Sequence, residues 1–184
     1  MQGYSRQRVV KEFAEVATRL LRQPEIEFAR QVFEDSLPYG RISIASYFLP
    51  WNDGVPVTLA SASTFVPARS MRRYTIFFGR EVFDRGADQA RFADTFIHEL
   101  THVWQGYHGR FGWEYMVHSV IAQGRAIIAH GDRGSAYDYE PGKPWRDYNV
   151  EQQAMLVQDW FRRGMKTDDE RYVYIAEHLR AGRD

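Results

Sequence analysis

Apolar residues recur along this chain with two different periods, and the changes of period mark out its elements. Val9, Val10, Phe13, Val16, Ala17, Leu20 and Leu21 fall at helical spacing behind Ser5, a suitable N-cap, so residues 1–23 are expected to form a packing helix. Pro24 suits the first turn of a second helix that runs to about Ser36 and buries Ile26, Ala29, Val32 and Phe33. Leu37-Pro38-Tyr39-Gly40 reads as a turn. From Arg41 the period becomes two, with Ile42, Ile44 and Ser46 alternating with Ser43 and Ala45. Val55 to Ala60 follows the turn residues Asn52-Asp53-Gly54 as a second strand candidate. Arg73 to Phe78, rich in β-branched and aromatic residues and closed by Gly79, is a third. These predict a small sheet of about three strands, near the lower limit for a stable sheet.

Helical spacing then returns. Phe92, Phe96, Leu100, Val103, Trp104 and Tyr107 trace one face, and neither Gly nor Pro interrupts from Asp88 to Gln105. A second stripe, Trp113 to Ala129, stops at Gly131. Gly131 to Asp147 is polar and irregular, a long loop of the kind that is functional or mobile in a compact domain. Asn149 and Gln152 stand in capping-box spacing at the head of a helix reaching about Arg163. Thr167 and Glu170 repeat that spacing before a last helix, within 164–184, that carries Val173, Ile175, Ala176 and Leu179. The fold class expected is α+β: one mostly helical domain over 1–184, with its core in 24–163 and the small sheet ahead of the central helix.

Composition narrows the chemistry. Lys plus Arg and Asp plus Glu both number 24, so the chain is neutral, which argues against nucleic acid or an anionic membrane as partner. With no cysteine, disulfides, thiolate ligands and a cysteine nucleophile are all excluded, leaving His, Asp and Glu to bind a metal. Met1 to Lys11 lacks the apolar run of a signal peptide, and no stretch is long enough to span a bilayer. A cytoplasmic protein is the default expectation, with export by a route that needs no signal peptide left open.

The chemistry concentrates in His98-Glu99-Leu100-Thr101-His102. Histidines four apart share a helix face one turn apart, where both imidazoles reach one tetrahedral zinc ion. Glu99, next to the first histidine, is positioned to take a proton from an activated water without being a ligand. Catalytic zinc usually has three protein ligands, and spacing leaves two candidates for the third. His108 stands six residues after His102, as in the metzincin pattern HExxHxxGxxH, but position 105 is Gln and the glycine falls at 106. Glu151, near the start of a later helix, would complete the His2Glu set of thermolysin-like sites.

HELTHVWQ (His98 to Gln105) followed by DYNVEQQAMLVQDWF (Asp147 to Phe161) resembles the zincin-like bacterial Vgr-related and Rhs-associated proteins. Pro24 to Ile44 resembles their N-terminal region, so the likeness runs from about Pro24 to Arg163. It implies a gluzincin-like arrangement: His98, His102 and Glu151 as zinc ligands and Glu99 as base. Thermolysin-like enzymes carry an Asp four residues after the ligand Glu; here that position is Met155, so support for the histidines falls to other residues such as Gln158 or Asp159.

The function expected is zinc-dependent hydrolysis, with a peptide or protein as substrate. Tyr137, Tyr139 and Tyr148 lie on the approach to Glu151, and Tyr139 is the candidate donor to the developing oxyanion. The strand from Tyr74 to Phe78, if at a sheet edge, would grip an extended peptide by strand addition. The alternatives are a catalytically silent zincin-like module contacting a secretion-system partner, and a delivered toxin domain.

Overall fold

The computed structural model describes residues 17–50, 54–60, 71–109, 116 and 137–183. Most of the first predicted helix and of the stripe from Trp113 to Ala129 lies outside these residues. Four short strands form the sheet. At its centre β2 (Ile42–Ala45) runs parallel to β4 (Tyr74–Phe77), with Ile42 opposite Tyr74 and Ala45 opposite Phe77. β1 (Thr18–Leu20) pairs antiparallel with β2, and β3 (Val57–Ala60) pairs antiparallel with β4, giving the order β1-β2-β4-β3. The class is the α+β one expected, with one strand more than the alternation suggested. Because β4 is paired on both sides, the expectation that Tyr74 to Phe78 forms an edge is corrected; among the described residues β3 is the outer strand on that side.

The extra strand is the tail of what periodicity reads as a helix. Residues 18–20 of the predicted first helix are strand, and Leu20 is 52% exposed instead of buried in a stripe. Pairing with β2 wins over local propensity because it supplies partners to both backbones and carries Arg19 to the buried Glu25. Arg19 donates to both Glu25 oxygens (2.7 and 2.8 Å), and the same carboxylate accepts from the backbone N–H groups of Arg22 (2.7 Å) and Ala87 (2.9 Å). Those bonds outweigh burial and hold the Glu25 pKa below its ordinary value. Glu25→Ala strands a cation and two backbone donors, so it is expected to cost about 3 kcal/mol of stability, measurable by urea denaturation.

Helix α1 (Gln23–Phe33) starts with Pro24 as expected but ends before Ser36, because Glu34 turns the chain at φ 49°. Helix α2 (Gly79–Arg85) has no clear signature in the periodicity. It opens at Gly79, whose φ of 82° and contact with the Phe48 ring leave no room for a Cβ. Helix α3 (Ala90–His108) is the central one, and α4 (Val150–Arg162) packs along it. The last helix is α5 (Tyr172–Tyr174), running into a π-helical turn at Ile175–Leu179. It starts later than the Thr167/Glu170 spacing suggested, since Asp169 accepts from the Arg171 N–H (2.9 Å) and guanidinium (3.0 Å) and starts the turn there. Tyr174, Ile175 and Leu179 are buried as a result, while Val173 is exposed.

The core lies between the sheet and the α3–α4 pair. Phe96, Leu100, Val103 and Trp104 of α3 meet Leu156, Val157 and Trp160 of α4, with Ile42, Ile44 and Ile76 beneath. Two polar devices fix where α3 ends. The buried Arg72, just ahead of β4, donates to the carbonyls of Gly106, Tyr107 and Gly109 at 2.8–2.9 Å, closing off the helix C-terminus. Trp104 Nε1 donates to the Leu179 carbonyl at 2.8 Å, tying in the C-terminal turn. No helix among the described residues is long and apolar enough to cross a membrane.

Candidate metal centre

Two helices meet at the site. On α3, the 3.6-residue period puts His98 and His102 on one face, with ring centroids 4.9 Å apart. On α4, Asn149 caps the N-terminus: its side chain accepts from the N–H groups of Glu151 and Gln152 (2.9 Å each), and Gln152 returns a bond to the Asn149 N–H (3.1 Å). The capping box expected from the sequence is therefore formed, and it sets Glu151 in the first turn. From there Glu151 Oε2 lies 3.4 Å from His98 Nε2 and 3.4 Å from His102 Nε2.

These distances suit a tetrahedral cation. Ligand bonds of about 2.0–2.1 Å give a ligand-to-ligand edge of about 3.3 Å. His98, His102 and Glu151 lie close enough to bind one metal ion, with all three donor atoms within 4.8 Å of one another. His108, the competing candidate, is not in the cluster. Its Nε2 donates to the Ser36 carbonyl (2.8 Å), and its ring lies on Trp104 (4.9 Å between centroids).

Electrostatics within the cluster match such a donor set. Burial lowers the His102 pKa, but the adjoining Glu151 carboxylate, helped by the Glu99 charge and Gln105, outweighs it and lifts the pKa to about 9. Burial raises that of Glu151, yet the two histidines and their hydrogen bonds hold it well below the usual carboxylate range. The ionised carboxylate favours positive charge at this point, and a bound divalent ion would displace the His102 proton.

Around the cluster, His98 Nδ1 donates to Gln158 Oε1 at 3.1 Å and His102 Nδ1 donates to Gln105 Oε1 at 2.8 Å. Gln158 was legible as a candidate on the same helix as Glu151. Gln105 was not singled out for this role, although its spacing of three from His102 puts it on the same face. Thr58 of β3 was missed altogether: its hydroxyl donates to Glu99 Oε2 at 2.6 Å, fixing a carboxylate whose charge acts on His102. No local pattern announces it, since the pair is 41 residues apart.

Tyr139 is engaged with Asp159 and Arg171 rather than with the three ligands. Its hydroxyl donates to Asp159 (2.9 Å) and accepts from Arg171 Nε (2.8 Å); burial, then Asp159, raise its pKa to about 12 against the pull of Arg171. Tyr148 bonds to the Glu140 carbonyl (2.7 Å). Of the three candidates, Tyr137 lies beside a ligand, its ring centroid 6.1 Å from that of His98.

Comparison with known proteins places this architecture. No family model matches the chain. It is 34% identical over 149 residues to the type VI secretion system spike protein VgrG2b of Pseudomonas aeruginosa, a match that covers 79% of this chain and 13% of the spike protein. The chain thus corresponds to a small part of that relative's length. The solved effector domain of Pseudomonas aeruginosa VgrG2b superposes on it with a TM-score of 0.59 at 30% identity, covering 88% of this chain and 81% of that one. A fold and a sequence that agree over that share of an effector domain make this chain a member of the VgrG2b effector-domain family.

Proposed function

We propose that this protein is a delivered effector domain of a type VI secretion spike, and that it acts on its target as a zinc-dependent hydrolase, with a peptide bond the favoured substrate. The secretion part of this reading rests on the family, and it supports the delivered-toxin alternative over a free-standing cytoplasmic peptidase. The chemical part rests on one observation: Glu151 Oε2 is 3.4 Å from both histidine Nε2 atoms, on the helix face next to Glu99, whose carboxylate Thr58 fixes.

His98, His102 and Glu151 would hold the cation. Zinc bound there would lower the pKa of a water and polarise the carbonyl to be attacked. Glu99 then has a defined task. Thr58 occupies Oε2, which leaves Oε1 to take the proton from the attacking water and hand it to the leaving amine. Tyr137, beside His98, is the better placed of the tyrosines to donate to the developing oxyanion. A purely structural metal site has no use for a buried base fixed in this way, which is why hydrolysis is preferred to a silent binding module.

The test is the metal content of the purified protein, together with cleavage of a diverse peptide library. One zinc per chain and a restricted set of cleavage sites are expected. A protein that takes up no zinc when supplied with it would remove the hydrolase reading and leave a scaffold within a secretion spike.

A further inference from the structure

The structure assigns to Gln105 the role of a positioning residue: it sets the tautomer and direction of His102 through an amide relay anchored on backbone carbonyls of the Glu151-bearing side of the site. This rests on the metal-site reading above and adds to it a residue that touches no metal.

The direction of the relay follows from what each atom can do. The Trp145 carbonyl can only accept, so the Gln153 atom 3.1 Å from it is the amide nitrogen. Gln153 therefore turns its oxygen toward Gln105, 2.9 Å away, and that oxygen requires the Gln105 nitrogen. The Val150 carbonyl, 2.8 Å from the same nitrogen, demands the same orientation independently. Gln105 is left presenting Oε1 to His102 Nδ1 at 2.8 Å, and an acceptor there obliges Nδ1 to carry the proton. The lone pair of the neutral imidazole is thereby placed on Nε2, the atom 3.4 Å from Glu151.

Every member of the chain is shielded: Gln105 is 5% and Gln153 6% exposed. Water does not compete easily for those bonds, so the orientation is held before any cation arrives. Val150 also immediately precedes Glu151, so one amide ties a histidine on α3 to the helix turn that supplies the carboxylate. The partner is neutral, where histidine ligands are often backed by a carboxylate. A carboxylate at position 105 would set its oxygens against the Val150 carbonyl and Gln153 Oε1 and break the relay.

The experiment measures zinc affinity by competition with a chromophoric chelator, and ring tautomers by long-range proton–nitrogen correlation of the zinc-loaded protein. In the wild type, both His98 and His102 should show a slowly exchanging Nδ1 proton. Gln105→Met keeps the side-chain length but removes donor and acceptor. It is expected to weaken zinc binding by about 10–100-fold and to lose the protected proton of His102 alone. A generally loosened structure would affect His98 as well. If Gln105→Met does not fold, Gln153→Leu, one step further out, should still weaken zinc binding severalfold. Unchanged affinity with the His102 proton still protected, in either variant, would overturn the relay while leaving the metal site intact. A wild type that binds no zinc would overturn both readings, which separates the two failures.

Discussion

Glu99→Gln is expected to reduce hydrolysis by about 10²–10⁴-fold while leaving zinc stoichiometry and stability unchanged. The separation is sharp because of how the side chain is held. Thr58 donates to Glu99 Oε2 at 2.6 Å, and an amide oxygen in the same place still accepts that bond, though less strongly than a carboxylate. Shape, burial and the contact with β3 therefore survive, and what disappears is the capacity to accept a proton. Removing the buried negative charge also leaves Glu151 as the principal anion facing His102. The measurements are turnover on a cleaved library peptide, growth inhibition when the domain is expressed in a bacterial host, and metal content. Cleavage at the wild-type rate by the zinc-loaded variant would rule out Glu99 as the base. Unchanged growth inhibition alongside lost cleavage would show that toxicity has another source.

Glu151→Ala should be the most damaging change to metal binding. Its oxygen is the only anionic donor of the three and lies 3.4 Å from each histidine Nε2. Without it, the two imidazoles lose the one carboxylate that lies against both of them. Zinc affinity is expected to fall by more than the 10–100-fold typical of losing an outer partner. His108→Ala is the matched control. His108 serves the Ser36 carbonyl and the Trp104 ring, so its removal should lower stability modestly and leave zinc bound. Competition titration of both variants decides the matter. Retention of zinc by Glu151→Ala, or its loss from His108→Ala, would move the third ligand to His108 and the site toward the metzincin pattern.

Several features of the site follow from rules that act within one helix. His98 and His102 share a face of α3 because the helix repeats every 3.6 residues, and an uninterrupted stripe from Asp88 to Gln105 was enough to predict that helix. The Asn149/Gln152 capping box likewise depends on atoms three residues apart, and it formed as the spacing said, fixing Glu151 in the first turn. The strand positions of Ile42 and Ile44 were legible from alternation, and those of Tyr74 to Phe77 from β-branched and aromatic content.

Other features required the packed chain. Spacing alone left His108 and Glu151 as equal candidates, because the α3–α4 packing that brings Glu151 to the histidines leaves no trace in either helix by itself. The strand candidate Val55 to Ala60 gave no hint that Thr58 meets Glu99, and nothing around Gln105 revealed which amide it would join. Thr18–Leu20 fits a helical stripe locally and became strand because β2 and the buried Glu25 offered partners that no local helix could supply. Local spacing determined which side chains point the same way along a helix. Tertiary structure decided which of them meet, because a hydrogen bond or a shared cation reads distance in space, and only packing turns separation along the chain into contact.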